Sequence, residues 1–237
     1  AANSADVVIV QHEFGIYPGP QGEGIIEFVN RCRRPTLTVL HTILSTPTAR
    51  QRSIIDALAA RSSMLIVHTE AARVRLLEAH RLDEAQVAVI PHGASPNLIG
   101  EHLVTSMEPL LITWGLLGPG KGIEHGIEAV ALLRAIGLDV RYLVAGETHP
   151  NVRAQQGERY RDELRALAVR RGVDDLVDFD NRYRDWDSLH ALVRSASIVL
   201  IPYDSRDQVT SGVLVEALAA GKPVVSTAFP HAVELEP

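Results

Sequence analysis

SGVLVEALAAGKPVVST, residues 211–227, decides how this chain is read. Val213 to Ala220 is an apolar helix interrupted by one acid, Glu216, and Gly221 stands where a helix needs a left-handed C-terminal residue. Pro223 to Ser226 then reads as a short buried strand. Upstream, Ile198 to Tyr203 is another β-rich run, joined to the helix by the polar loop Tyr203 to Thr210. Strand, loop, helix and strand in that order form a βαβ unit, and hence a parallel sheet. The first amides of a helix starting at Ser211-Gly212 lack intrahelical partners and favour an anion. Gly212 lets such a group approach the backbone closely. The plainer alternative is a capped helix with a solvated acid. Glu216 sits between Val215 and Ala217 in an apolar helix, which weighs against that. One turn in, its carboxylate is placed to hold two ribose hydroxyls.

The same alternation continues outward. Val7 to Val10, Thr36 to Leu40, Met64 to His68, Val87 to Ile90, Leu110 to Thr113 and Val140 to Ala145 are continuous apolar strands, as in sheets covered on both faces. A further strand ends near Phe179. Thr48 to Arg61, Glu70 to Arg81, Gly122 to Ile136 and Arg159 to Arg171 have helical spacing, and Asp187 is expected to open a helix running to about Ser195. Ser95 to Pro109 lacks periodicity and reads as a linker. The expected fold class is therefore α/β, with two Rossmann-like parallel-sheet domains over residues 1–104 and 105–237.

Composition narrows the function. At 46% hydrophobic, the 237 residues are enough for a buried core. A net charge of −6 argues against a nucleic-acid partner. The single Cys32 cannot form an internal disulfide, and a cytoplasmic location is expected. The start, AANSADVVIV, lacks the basic region of a signal peptide. The ten histidines show no zinc-like spacing, so no metal site is expected. There is no Gly-x-Ser-x-Gly elbow and no dinucleotide fingerprint. Thr113 to Gly122, TWGLLGPGKG, is a Gly-rich turn between strand and helix. It lacks Walker A spacing, but Lys121 there could pair with a diphosphate. The alternative is a tight turn with a solvated lysine.

Residues 211–227 resemble the signature of the large retaining glycosyltransferase family with the GT-B fold (group 1, family four). That family carries two glutamates separated by seven residues. Glu216 matches the second, and Gln208 stands at the first. Its Gly-Arg-Leu…Lys-Gly segment matches at Gly115 and Lys121, with Leu116 in place of the arginine. VIPHG, residues 89–93, is a further feature shared with the family.

The resemblance implies two facing domains and a UDP-, GDP- or ADP-sugar donor. It also implies retention of configuration and no cofactor or essential metal. Donor binding falls to Gly115, Lys121, Glu147, Asn181, Gln208, Thr210, Ser211, Gly212 and Glu216, with His149 and Arg182 as weaker candidates. The catalytic candidates are His41, Lys121 and Gln208, with Lys121 and the Ser211 and Gly212 amides meeting the leaving diphosphate. His12 and Glu13 are expected to bind a carbohydrate or small-molecule acceptor, while His92 serves structure. The basic cluster Arg31, Arg33 and Arg34 leaves a peripheral membrane contact open. Measured against the family, a first strand and Gly-rich loop are expected before Ala1, and further strands and a helix after Pro237. Two alternatives remain. One is a non-catalytic nucleotide-sugar-binding module, suggested by Gln208 and Leu116. The other is a nucleotide-sugar epimerase of the same architecture, which would need several acids and histidine around the sugar.

Overall fold

The computed structural model describes residues 2–95, 109–205 and 207–236. The chain forms two compact units. The first comprises Ala1–His92, Arg206–Ser211 and Phe229–Pro237, and the second Gly93–Ser205 and Gly212–Ala228. The expected linker and the 104/105 boundary fall largely or wholly within residues 96–108, outside the described residues.

The first unit is built in sequence as β1 (Val8–His12), α1 (Ile25–Arg31), β2 (Thr36–Leu40), α2 (Ala49–Arg61), β3 (Met64–Val67), α3 (Glu70–Ala79) and β4 (Val87–Val89). Its sheet is parallel throughout, in the order β1-β2-β3-β4. The apolar strand residues Val10, Leu40, Leu65 and Val67 meet Ile54, Leu58 and Leu76 from the helices in one core. Local signals set the helix starts. Thr48 and Gln51 form a reciprocal capping box at α2, and the Thr69 hydroxyl accepts from Ala72 N at α3.

The second unit follows as β5 (Leu110–Trp114), α4 (Ile123–Ala135), β6 (Arg141–Ala145), α5 (Pro150–Gln156), α6 (Arg159–Arg171), β7 (Val177–Asp180), α7 (Trp186–Ser195), β8 (Ile198–Ile201), α8 (Gly212–Ala219) and β9 (Val224–Ser226). Its five parallel strands lie in the order β7-β6-β5-β8-β9. Strand order thus reverses between β5 and β8, the position where open α/β sheets bind ligands beyond their strand ends. The core centres on Ile123, Ile127, Tyr142, Val144 and Leu164.

Residues 207–211 pack with the first unit. Val209 is buried in that unit's core, its carbonyl accepting from the Thr69 hydroxyl at 2.9 Å, and Asp207 accepts from Ser45 N at 2.8 Å. The last helix, α9 (Pro230–Glu234), belongs there too. The Glu234 carboxylate accepts from Glu70 N and Ala71 N, placing an anion on the first turn of α3.

One expected helix start moves. Asp185, not Asp187, caps α7, accepting from Ser188 N at 2.9 Å. Asp187 lies in the first turn instead, where its charge still favours the helix dipole.

Candidate functional site

The switch point is closed by two loops that fit only one way. Gly122, after β5, has φ 63°, and a Cβ there would lie 1.7 Å from the Pro202 carbonyl oxygen, after β8. No other residue fits that approach. Asp204 N donates to Gly120 O at 3.0 Å, tying the loops again. Lys121 is thereby carried over the Tyr203 ring, with Nζ 4.2 Å from its centroid. Burial lowers its pKa below the usual lysine value. Among the described residues no carboxylate forms a salt bridge with it, so the sheltered cation is not neutralised by a neighbouring acid.

A second close approach shapes the neighbouring wall. Gly146, directly after β6, has φ 131°, and a Cβ there would lie 2.0 Å from Gly115 O. Leu117 N donates to Glu147 O at 2.8 Å, and His149 N to Leu117 O at 2.8 Å. These bonds run the Gly-rich turn alongside residues 146–149.

Beside them opens a cavity of 450 Å³, bounded by Trp114, Gly115, Gly146, Glu147, Tyr183 and Trp186. It is mostly apolar, as small-molecule pockets commonly are. Its far wall, residues 182–186, is pinned by Asp180 at the end of β7. That carboxylate accepts from Arg182 N at 3.1 Å and Nε at 2.9 Å, and from Arg184 Nη2. The Arg182 hydrogen bond, against the effect of burial, holds the Asp180 carboxyl far below the usual range. Arg182 lines this cavity, whereas Asn181 is exposed and does not. Glu147 lines it as well, 3.9 Å from Arg153.

Gly212 opens α8, and Glu216 lies one turn in. Its side chain is 14% exposed, accepts from Ser95 N at 3.2 Å and stands 3.7 Å from His190 Nε2. It is therefore no solvated surface acid. Ser211 is a correction. Its amide donates to His231 Nδ1 at 2.7 Å, so it is already engaged rather than open to a phosphate. Burial lowers the His231 pKa, which keeps that acceptor nitrogen unprotonated. Gln208, Thr210 and Ser211 all belong to the first unit. There the Gln208 side-chain amide donates to Thr210 O, while the Thr210 hydroxyl is buried without a partner among the described residues.

Two N-terminal expectations also change. His12 is fully buried, edge-on to Phe14 at 5.0 Å, with neither ring nitrogen hydrogen-bonded among the described residues. It faces the interior, not an acceptor, because it sits on an inward position of β1. Burial, with a smaller contribution from His41, pushes its pKa down to about 4. The Glu13 carboxylate is committed to Phe14 N at 2.8 Å and the Thr42 hydroxyl at 2.6 Å. His41 is half-buried, with Nε2 2.6 Å from Gln11 Oε1. Its ring lies 5.2 Å from that of His68, which lies 5.1 Å from His92. Each of these three follows a strand of one sheet, so the rings repeat near the strand spacing.

Sequence reading passed over Trp186, Tyr183, Asp180 and His68. Scarcity was the available signal for the aromatics. Only 5% of the chain is aromatic, yet three such residues gather at one cavity.

The fold is a two-unit, parallel-sheet architecture of GT-B type, with a cavity beside the switch point of the second unit. The chain belongs to the group 1 glycosyl transferases, whose family profile matches residues 108–236. It is 24% identical over 156 residues to the lipopolysaccharide 1,2-N-acetylglucosaminetransferase of Salmonella typhimurium, covering 62% of this chain and 40% of that one. Among solved structures it resembles Anabaena HepE, in complex with UDP and glucose, with TM-score 0.79 and 19% identity over 100% of this chain and 63% of that one. It also resembles a UDP-forming α,α-trehalose-phosphate synthase from Burkholderia xenovorans, with TM-score 0.71 and 18% identity over 97% and 60%. The chain thus spans less than two thirds of each relative. No helix among the described residues is long and apolar enough to cross a membrane.

Proposed function

We propose that the protein moves a sugar from a nucleoside-diphosphate sugar to an acceptor hydroxyl, with retention of configuration. One observation carries this reading. The switch point of the second unit brings together a sheltered lysine with no carboxylate partner among the described residues, the start of α8, a largely sheltered Glu216 and a base-sized cavity. The nucleobase occupies the cavity between Trp114, Tyr183 and Trp186. Glu216 accepts from the ribose hydroxyls. Lys121 and the opening amides of α8, Gly212 and Val213, face the diphosphate.

The acceptor oxygen bonds to the sugar's anomeric carbon as the bond to the diphosphate breaks, and the hydroxyl proton passes to the departing phosphate oxygen. Preorganised positive charge stabilises that departure, so no metal is required in this scheme. Acceptor recognition is assigned to the first unit, with His41 as its candidate catalytic group. UDP is the first nucleotide to test, since HepE was solved with it.

The second reading is a binding module without turnover, favoured by Gln208 where the family has glutamate. Calorimetry with UDP, GDP, ADP and their sugars, followed by mass spectrometry of products with a panel of carbohydrate acceptors, separates the two. Binding with product supports transfer. Binding without product across the panel supports the module, and no binding to any nucleotide removes both.

A further inference from the structure

Arg161, in the first turn of α6, is the largest fully buried side chain among the described residues, at 1% exposure. Its Nη2 donates to Gly146 O at 2.7 Å, and its Nε to Glu158 Oε2 at 3.3 Å. Nη1 is buried with no hydrogen-bond partner among the described residues. Glu158 also accepts from the Thr148 hydroxyl and from Arg153 Nε at 3.1 Å. The Thr148 bond, together with the two arginines and against the effect of burial, lowers its pKa, so the carboxylate stays charged.

Stability does not explain this arrangement. Burying the guanidinium carries a desolvation cost that its half-exposed partner Glu158 offsets only in part, and an unused N–H adds to that cost. Position does explain it. Gly146 lies against Gly115 at the start of the Gly-rich turn and lines the cavity. Thr148, two residues on, pairs with Leu117 of the same turn in an isolated β-bridge. The buried cation therefore grips residues 146–148 from behind, at both ends.

We propose that Arg161 is a positioning residue for the donor. Through Gly146 O directly, and through Glu158 to Thr148, it holds residues 146–148 and the Gly-rich turn in the shape that receives the nucleoside diphosphate. This rests on the donor-site reading above.

The test uses Arg161→Met, Arg161→Lys and Glu158→Gln, with UDP affinity, ligand-free unfolding midpoint, and donor and acceptor KM as readouts. Arg161→Met is expected to weaken UDP binding about tenfold or more, as misplaced binding groups do. Arg161→Lys, which keeps one donor for Gly146 O, should recover part of the loss. Glu158→Gln removes the counter-charge of the buried guanidinium, so its midpoint should fall, and UDP binding by the folded protein should weaken beyond what that fall accounts for. Donor KM should rise and acceptor KM stay unchanged. If Arg161→Met does not fold, the other two variants decide. Parent affinity in the folded variants, or losses that merely track the unfolded fraction, overturns the proposal. Absence of UDP binding by the parent protein instead points to failure of the donor-site reading.

Discussion

Replacing His12 with leucine should flatten the acid side of the protein's stability curve. The His12 ring is fully buried with both nitrogens unsatisfied, and its pKa falls from 6.5 to about 4. Unfolded chains take up this proton near 6.5, while the folded protein resists it until about 4. The unfolded state therefore binds more protons between those values. The group's contribution is complete above 6.5, drains away as pH falls, and levels off below 4. At 1.36 kcal/mol per pH unit, the full gap amounts to about 3 kcal/mol. Roughly 2 kcal/mol of it is lost by about pH 5. Leucine is similar in size and does not titrate. It should hold stability at pH 7.5 and retain about 2 kcal/mol more than the parent on passing to pH 5. Urea denaturation followed by circular dichroism at both pH values measures this. His41, His68 and His231, also lowered by burial, keep some acid sensitivity in both proteins. An equal loss in parent and variant would refute the reasoning.

Other expectations follow from the switch point. Gly122→Ala forces a Cβ into the Pro202 carbonyl at a left-handed position, and should cost about 2–4 kcal/mol in urea denaturation. Stability equal to the parent's would contradict the packing described. Lys121→Met should weaken UDP binding by about tenfold while changing uridine binding little, because only the diphosphate meets the charge. Equal losses for both ligands would place Lys121 elsewhere. Transfer in excess EDTA should match transfer without it, and a lasting loss restored by a divalent ion would overturn the metal-free scheme.

Much of the fold was legible because its strands are continuous apolar runs punctuated by Gly and Pro. Thr36 to Leu40 and Arg159 to Arg171 begin and end where the pattern puts them. Two of the short helices, α1 and α9, carry too few turns to show a period. Asp185 and Asp187 are both sound caps by composition, and only the path of the preceding loop chooses between them. Among the candidate site residues, Lys121 and Glu216 stand out locally, as a charge amid glycines and an acid in an apolar helix. The Ser211 amide was not. Its partner, His231, lies twenty residues on, and no local pattern announces that pairing. His12 misled for a related reason. It follows the apolar residues of β1 as a loop residue would, but strand alternation turns it inward. Arg161 reads as one of several arginines on a charged helix, and its burial emerges only when Gly146 needs a donor.

Glu216 offers the most direct test of the central claim. Titration of UDP into the parent protein and into Glu216→Ala, each with its fold verified, asks whether the α8 carboxylate holds a nucleotide's ribose. The account predicts saturable binding to the parent and its loss in the variant. Nucleotide binding that survives the substitution unchanged, or a folded parent that binds no nucleotide, would contradict it.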